Sequence, residues 1–224
     1  MKLSDLTRGW VFVAALFLIV LLAGCASTGG SSTGRKAARA EASRATQIEV
    51  QEDVGFTVTE ETRASGKVRV GYDDALVLLE QGELERGIAA LEVIAEEAPG
   101  LTAPRIDLGI ATHRAGDLEA AEGWLVKALE LSPEHPIVHN ELGIIYRKTG
   151  RFDEARRSYE KALSVFPGYH YARRNLAVLC DLYLGDLECA LTNYEAYMTT
   201  VPEDPQASIW IADVRMRAGL EDTP

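Results

Sequence analysis

Pro99, Pro133 and Pro167 stand 34 residues apart, and Gly82, Gly116 and Gly150 keep the same spacing. So do Leu84, Leu118 and Phe152, and so do Gly87, Ala121 and Ala155. Columns locked in one register imply a unit that stacks on copies of itself. Each proline stops one helix and opens the next unit. The glycines sit at turns, where a residue of positive φ ends a helix cheaply. Small residues at Ala75, Gly109, Gly143 and Ala177, and again at Gly87, Ala121, Ala155 and Ala190, let paired helices approach closely. Tyr146, Tyr159, Leu125 and Tyr194 fill the space between them. No unit buries its own apolar face, so the core arises by stacking. These aromatic and leucine stripes are therefore core, and no cofactor is implied.

The clearest copy runs from Pro136 to Tyr169, with Leu142-Gly143, Tyr146, Gly150, Phe152, Ala155, Tyr159, Ala162-Leu163 and Pro167. It resembles the tetratricopeptide repeat, a helix-turn-helix unit of this period. The copy from Thr102 to His135 keeps Leu108-Gly109, Gly116, Leu118, Ala121, Leu125 and Pro133, but has Thr112 where the family has an aromatic. Weaker copies precede and follow. Pro202 lies 35 residues after Pro167, so the last copy has one extra residue near its turn. The resemblance implies an all-α fold: an α-solenoid of about four repeats, at 68–101, 102–135, 136–169 and 170–204. A helix at 205–219 would cap the final apolar face, leaving a tail at 220–224.

In this family the first helix of each unit lines a concave groove. The matching positions include Tyr72 and Glu80, then Ile106, Ile110, His113 and Arg114. The third unit offers Asn140, Ile144, Arg147 and Lys148, and the fourth Tyr171, Arg174, Val178 and Asp181. The groove would thus be basic and aromatic on an acidic domain, since residues 71–100 alone hold 8 acidic groups against Arg86. Such a strip suits an extended or helical peptide with carboxylates. The alternative is that Arg147, Lys148 and Arg174 only solvate the surface and offset nearby acids. The asparagine-and-lysine clamp of chaperone-binding members is absent, because Ile110 and Ile144 occupy its asparagine column.

The N-terminus has a different character. Lys2 and Arg8 precede an apolar run of 12 residues, Val11 to Leu22. That is too short to span a hydrocarbon core of about 30 Å. It has the layout of a secretory signal peptide, at residues 1–24. The run ends in Leu22-Ala23-Gly24-Cys25, which resembles the lipobox of bacterial lipoprotein precursors. The resemblance implies cleavage before Cys25, acylation of Cys25 and a lipid anchor in the membrane. By resemblance to enterobacterial lipoproteins, Ala26 in place of Asp implies the periplasmic face of the outer membrane rather than the inner membrane. A Gly/Ser-rich stretch then opens a tether at 25–67, with Arg35, Lys36, Arg39 and Arg44 opposed only by Glu41. As coil, its root-mean-square span is about 35 Å. Phe56 and Val58, and Val68 and Val70, alternate with polar residues, so short strands are an alternative there.

The net charge is −11, and residues 71–224 hold 27 acidic groups against 14 basic ones. General nucleic-acid binding needs the opposite balance. Cys180 and Cys189 flank the Gly185 turn, and an oxidising compartment permits a disulfide. Two buried thiols are the alternative. His135 and His139 have i, i+4 spacing, but Pro136 places His135 outside the helix and no third metal ligand stands nearby. No nucleophile, phosphate-loop or metalloprotease motif appears in the sequence. The expected role is non-enzymatic: an anchored periplasmic scaffold for protein partners in an envelope complex. The C-terminal unit, Leu184-Gly185-Asp186-Leu187 to Ile209-Trp210-Ile211-Ala212-Asp213, leans towards accessory proteins of Ton/Tol-type energy-transducing systems. Alternatives are assembly of type IV pilus secretins or outer-membrane proteins, or peptidoglycan binding.

Overall fold

A computed structural model of the chain describes residues 47–51, 55–59 and 64–220. The expected signal segment, Cys25 and the Gly/Ser-rich start of the expected tether lie outside the described residues. Among the described residues there are nine α-helices and one antiparallel hairpin, β1 (Gln47–Gln51) and β2 (Gly55–Thr59). The first two helix pairs are α1 (Gly66–Glu80) with α2 (Leu84–Glu97), and α3 (Ala103–Ala115) with α4 (Leu118–Leu131). Next come α5 (Pro136–Lys148) with α6 (Phe152–Val165), and α7 (His170–Leu179) with α8 (Leu187–Thr200). A final helix, α9 (Pro205–Arg217), packs on α8. None of the described helices is long and apolar enough to cross a membrane.

Helix ends follow from local chemistry. Ser65 Oγ caps α1 by accepting from Val68 N at 3.3 Å. Asp117 and Asp186 cap α4 and α8 by accepting from Ala120 N at 2.9 Å and Cys189 N at 3.1 Å. Pro104, Pro136 and Pro205 lie in first turns, where the missing N–H breaks no helical bond.

Paired helices meet through the small columns. At Gly143 the ring of Tyr159 fills the space a Cβ would need, 2.4 Å from Tyr159 Cε1. Tyr159 is fully buried, as are Ala155 and Ala162 on its own helix. The core lies in three successive clusters, around Ala75 and Leu91, around Leu125 and Ile145, and around Tyr159, Tyr194 and Val214.

Of the two short strands weighed for the N-terminal stretch, one is corrected and the other is found. Val68 and Val70 lie in α1, because Ser65 starts a helix two residues after Arg63. The tether is not coil throughout: β1 and β2 pair Ile48 with Val58 and Val50 with Phe56.

The extra residue of the fourth repeat is located. Ala177 stands 34 residues after Gly143, while Gly185 stands 35 after Gly150. Between them the chain makes a π-helical turn, Cys180–Leu184, that continues α7 and ends at Gly185 with φ 64°. One inserted residue in a helix pinned by packing at both ends produces such a turn.

Candidate partner-binding face

Three first helices, α3, α5 and α7, lie side by side along one face of the solenoid. From α3 come Ile110 and His113, both half-buried, and the exposed Arg114. From α5 come the half-buried Ile144 and Arg147 and the exposed Lys148. From α7 come the exposed Tyr171 and the half-buried Arg174 and Val178. Cations mounted on an apolar floor are less hydrated than free ones and bind carboxylates more strongly.

Several cations elsewhere on the domain are ion-paired. Arg151 binds Glu122 at 2.7 Å and Glu154 at 2.6 Å, and Arg156 binds Asp186 at 3.1 Å. Lys161 pairs with Glu134, and Arg215 with Glu195. Among the described residues Arg114, Arg147 and Lys148 form no ion pair. Arg147 instead donates from Nη1 to the Tyr183 hydroxyl at 3.2 Å, with its guanidinium carbon 5.5 Å from that ring's centroid. Arg174 stands 5.8 Å from the ring of Tyr171.

Charge crowding bears on His113. Burial, and then the charges of Lys148 and Arg147, push its imidazole below the ordinary value. The Tyr159 phenol beneath Arg147 is pushed up to about 12, chiefly by burial. The face is therefore cationic through Arg114, Arg147, Lys148 and Arg174, while His113 tends to be neutral.

Three expected groove residues are not on the surface. Asn140 is 2% exposed: its amide donates to Glu141 Oε1 at 3.0 Å and its carbonyl accepts from Asn175 at 2.9 Å. It ties α5 to α7. Burial also holds the Glu141 carboxyl above the usual range. Ile106 is buried in the core between the second and third repeats. Asp181 is buried in the π turn, where it accepts from Arg217 of α9 and from Tyr194 at 3.4 Å. At the N-terminal end Tyr72 donates to Asp107, and Glu80 is exposed.

The sequence columns do not include Tyr183, which the π turn delivers to this face at 43% exposure. Its ring lies 5.1 Å from Phe152. The 35-residue spacing is the signal that could have pointed to it.

Cys180 and Cys189 are joined as a disulfide, Cα–Cα 5.8 Å. Their sulfurs and a carboxylate oxygen of Asp186 lie within 4.8 Å of one another. In the bridge the sulfurs are bonded to each other, and Asp186 is engaged by Arg156 and by the α8 N-terminus. His135 and His139 do not converge on a metal: His139 Nε2 lies 2.9 Å from Pro133 O, and His135 is buried at the start of α5.

Tetratricopeptide-repeat family models match residues 72–136 and 136–169. The fold is a tetratricopeptide-type α-solenoid, and the same architecture recurs in solved structures. MamA 41-end from Desulfovibrio magneticus RS-1 superposes with a TM-score of 0.64 at 20% identity, over 72% of this chain and 90% of that one. PilF of Pseudomonas aeruginosa gives 0.62 at 18% identity, over 68% and 69%. At such identities the likeness is one of fold. Among curated proteins, anaphase-promoting complex subunit CDC16 of Saccharomyces cerevisiae is 32% identical over 85 residues, 38% of this chain and 10% of that protein. Anaphase-promoting complex subunit 6 of Arabidopsis thaliana is 27% identical over 99 residues, 44% of this chain and 18% of that protein. The chain thus spans less than a fifth of either relative's length. Repeats of this kind support a protein–protein interaction scaffold, and such scaffolds generally work without catalysis.

Proposed function

We propose that the chain is a lipid-anchored scaffold of the cell envelope that recruits a protein partner on the α3/α5/α7 face by binding alone. The observation that carries the reading is the clustering of Arg114, Arg147 and Lys148, none of them ion-paired among the described residues, on neighbouring helices of an acidic domain. Cations kept out of internal ion pairs, beside the partly exposed rings of Tyr171 and Tyr183, suit an acidic peptide segment supplied by another protein.

The anchor rests on Leu22-Ala23-Gly24-Cys25 after its apolar run. Acylation at Cys25 would hold the scaffold on the periplasmic face of the outer membrane, since several chains anchor stably where one does not. Within this reading the partner belongs to a Ton/Tol-type energy-transducing system, on the strength of the C-terminal unit alone.

The test is photo-crosslinking in cells from residues placed at Arg147 and Tyr171, identified by mass spectrometry, with the N-terminal peptide weighed for acylation of Cys25. One dominant envelope protein captured from both positions supports the scaffold and names its machine. Retrieval of glycan without protein would favour peptidoglycan binding instead. No capture from either position, on a chain with Cys25 acylated, refutes the face as the binding site.

A further inference from the structure

The inserted residue, the disulfide and the central cation of the binding face meet at one point. Cys180 opens the π turn and is fully buried, while Cys189 lies in the first turn of α8 and is half-buried. The bridge ties the start of the turn to the helix that follows it. Asp186 N donates to Cys180 O at 2.9 Å, closing the same loop through the backbone. Between these two fastenings the chain puts Leu182 and Tyr183 on the surface, at 69% and 43% exposure. Tyr183 leans back onto Phe152 and accepts from Arg147.

The turn has a competitor. A regular α-helix through this segment would close with one residue fewer, as in the two preceding repeats. In those repeats the position two before the turn glycine is a cation, Arg114 or Lys148, and here it is Tyr183. Losing the π turn shifts the residues beyond it by one position, about 100° of rotation in a helix of 3.6 residues per turn. Tyr183 would then leave Arg147.

We propose that the Cys180–Cys189 disulfide is a redox control on the partner-binding face: it holds the π turn that seats Tyr183 on Arg147, and its reduction releases that guanidinium. The proposal rests on the reading of this face as the binding site. The reductant is a dithiol. Its thiolate attacks the half-buried Cys189 sulfur, the S–S bond breaks, and Cys180 takes up a proton as a thiol. The dithiol's second sulfur then displaces Cys189, which also becomes a thiol. Two electrons have passed to the protein, and the dithiol leaves as a cyclic disulfide. Oxidised, Arg147 Nη1 donates to the Tyr183 hydroxyl; reduced, that donor is available to a carboxylate of the partner.

The test uses the mature full-length protein with 15N-labelled arginine, oxidised and after dithiothreitol, with thiols counted by alkylation. The Arg147 Nε–Hε resonance, assigned with Arg147→Lys, is expected to move on reduction. Tyr183→Phe, which removes only the acceptor hydroxyl, should move it in the same direction with the disulfide intact. A Cys180→Ser/Cys189→Ser variant should resemble the reduced protein and ignore the reductant. Two free thiols with an unmoved Arg147 resonance would overturn the coupling. In cells, crosslinking from position 148, beside Arg147, should change at least threefold between the parent and the serine variant. Equal capture by both would overturn the control while leaving the binding face in place. Capture by neither would overturn the binding face, and with it the control of binding, even where the resonance moves.

Discussion

Gly143 sets how close α5 comes to α6, and so where Ile144, Arg147 and Lys148 stand. A Cβ added there would lie 2.4, 2.6 and 2.8 Å from Cε1, Cδ1 and Cζ of Tyr159. Ordinary contact begins at 3.4 Å, so the ring or the helix must yield by about 1 Å. The ring has nowhere to go, because Tyr159 is fully buried beneath Arg147. Overpacking of this kind costs about 1–3 kcal/mol. Alanine returns about 1 kcal/mol in a helix interior. For a ring that cannot move the cost falls in the upper part of that range, about 2–3 kcal/mol, so Gly143→Ala should lose a net of about 1–2 kcal/mol and melt about 2–8 °C lower. Gly123 on α4 is the control: a Cβ there meets nothing within 4 Å. Gly123→Ala should gain about 0.5–1 kcal/mol and melt higher. Calorimetry of both variants beside the parent checks the pair of signs. A Gly143→Ala protein as stable as the parent, with Gly123→Ala stabilised, would refute the reasoning. It would mean that α5 and α6 can accommodate the extra methyl, as the fourth repeat does with the buried Ala177 in the same column.

Charge reversal at Arg147 or Arg174 should weaken partner capture about two- to five-fold each, the scale of a partly exposed ion pair, and the loss should shrink in high salt. Unchanged capture from position 171 in both variants would exclude a role for these charges. Reducing the disulfide should destabilise the fourth repeat by about 2–3 kcal/mol, because the closed loop is short. A urea midpoint that does not move on reduction would contradict that. His113 should titrate below 6.5 in the free protein, since burial, Lys148 and Arg147 all disfavour its charged form. The unfolded chain then binds more protons than the folded one between the two midpoints, so the contribution of His113 to stability falls as pH drops through that window. An acidic peptide seated on Arg147 and Lys148 should raise the midpoint. A proton NMR titration placing free His113 at or above 6.5 would refute the crowding.

The solenoid is legible in the sequence because its contacts are periodic. Gly109 faces Leu125 and Gly143 faces Tyr159 in the same way, and each pairing is local to one repeat. Groove columns are local too, which is why His113, Ile144 and Arg147 come out partly open to solvent. Asn140 fails that rule because its burial depends on Asn175 in the next repeat, and so on an offset between units that no single copy encodes. Asp181 fails because the capping helix sends Arg217 to it across the end of the stack. The hairpin was half visible: the alternation at Phe56 and Val58 suggests a strand, but its partner at Ile48 and Val50 emerges only from the register.

The fourth repeat shows the limit most clearly. A spacing of 35 announces one extra residue but not how the chain absorbs it, since a longer loop would satisfy the count equally well. The packing of Leu176 and Ala177 before the insertion and of Ala190 and Tyr194 after it leaves no slack in the helices. The surplus is therefore taken inside α7 as a π turn, next to a disulfide that fixes it. Tyr183 reaches Arg147 only through that choice. A side chain that shapes the candidate face is thus one that the repeat pattern, by its regularity, hides.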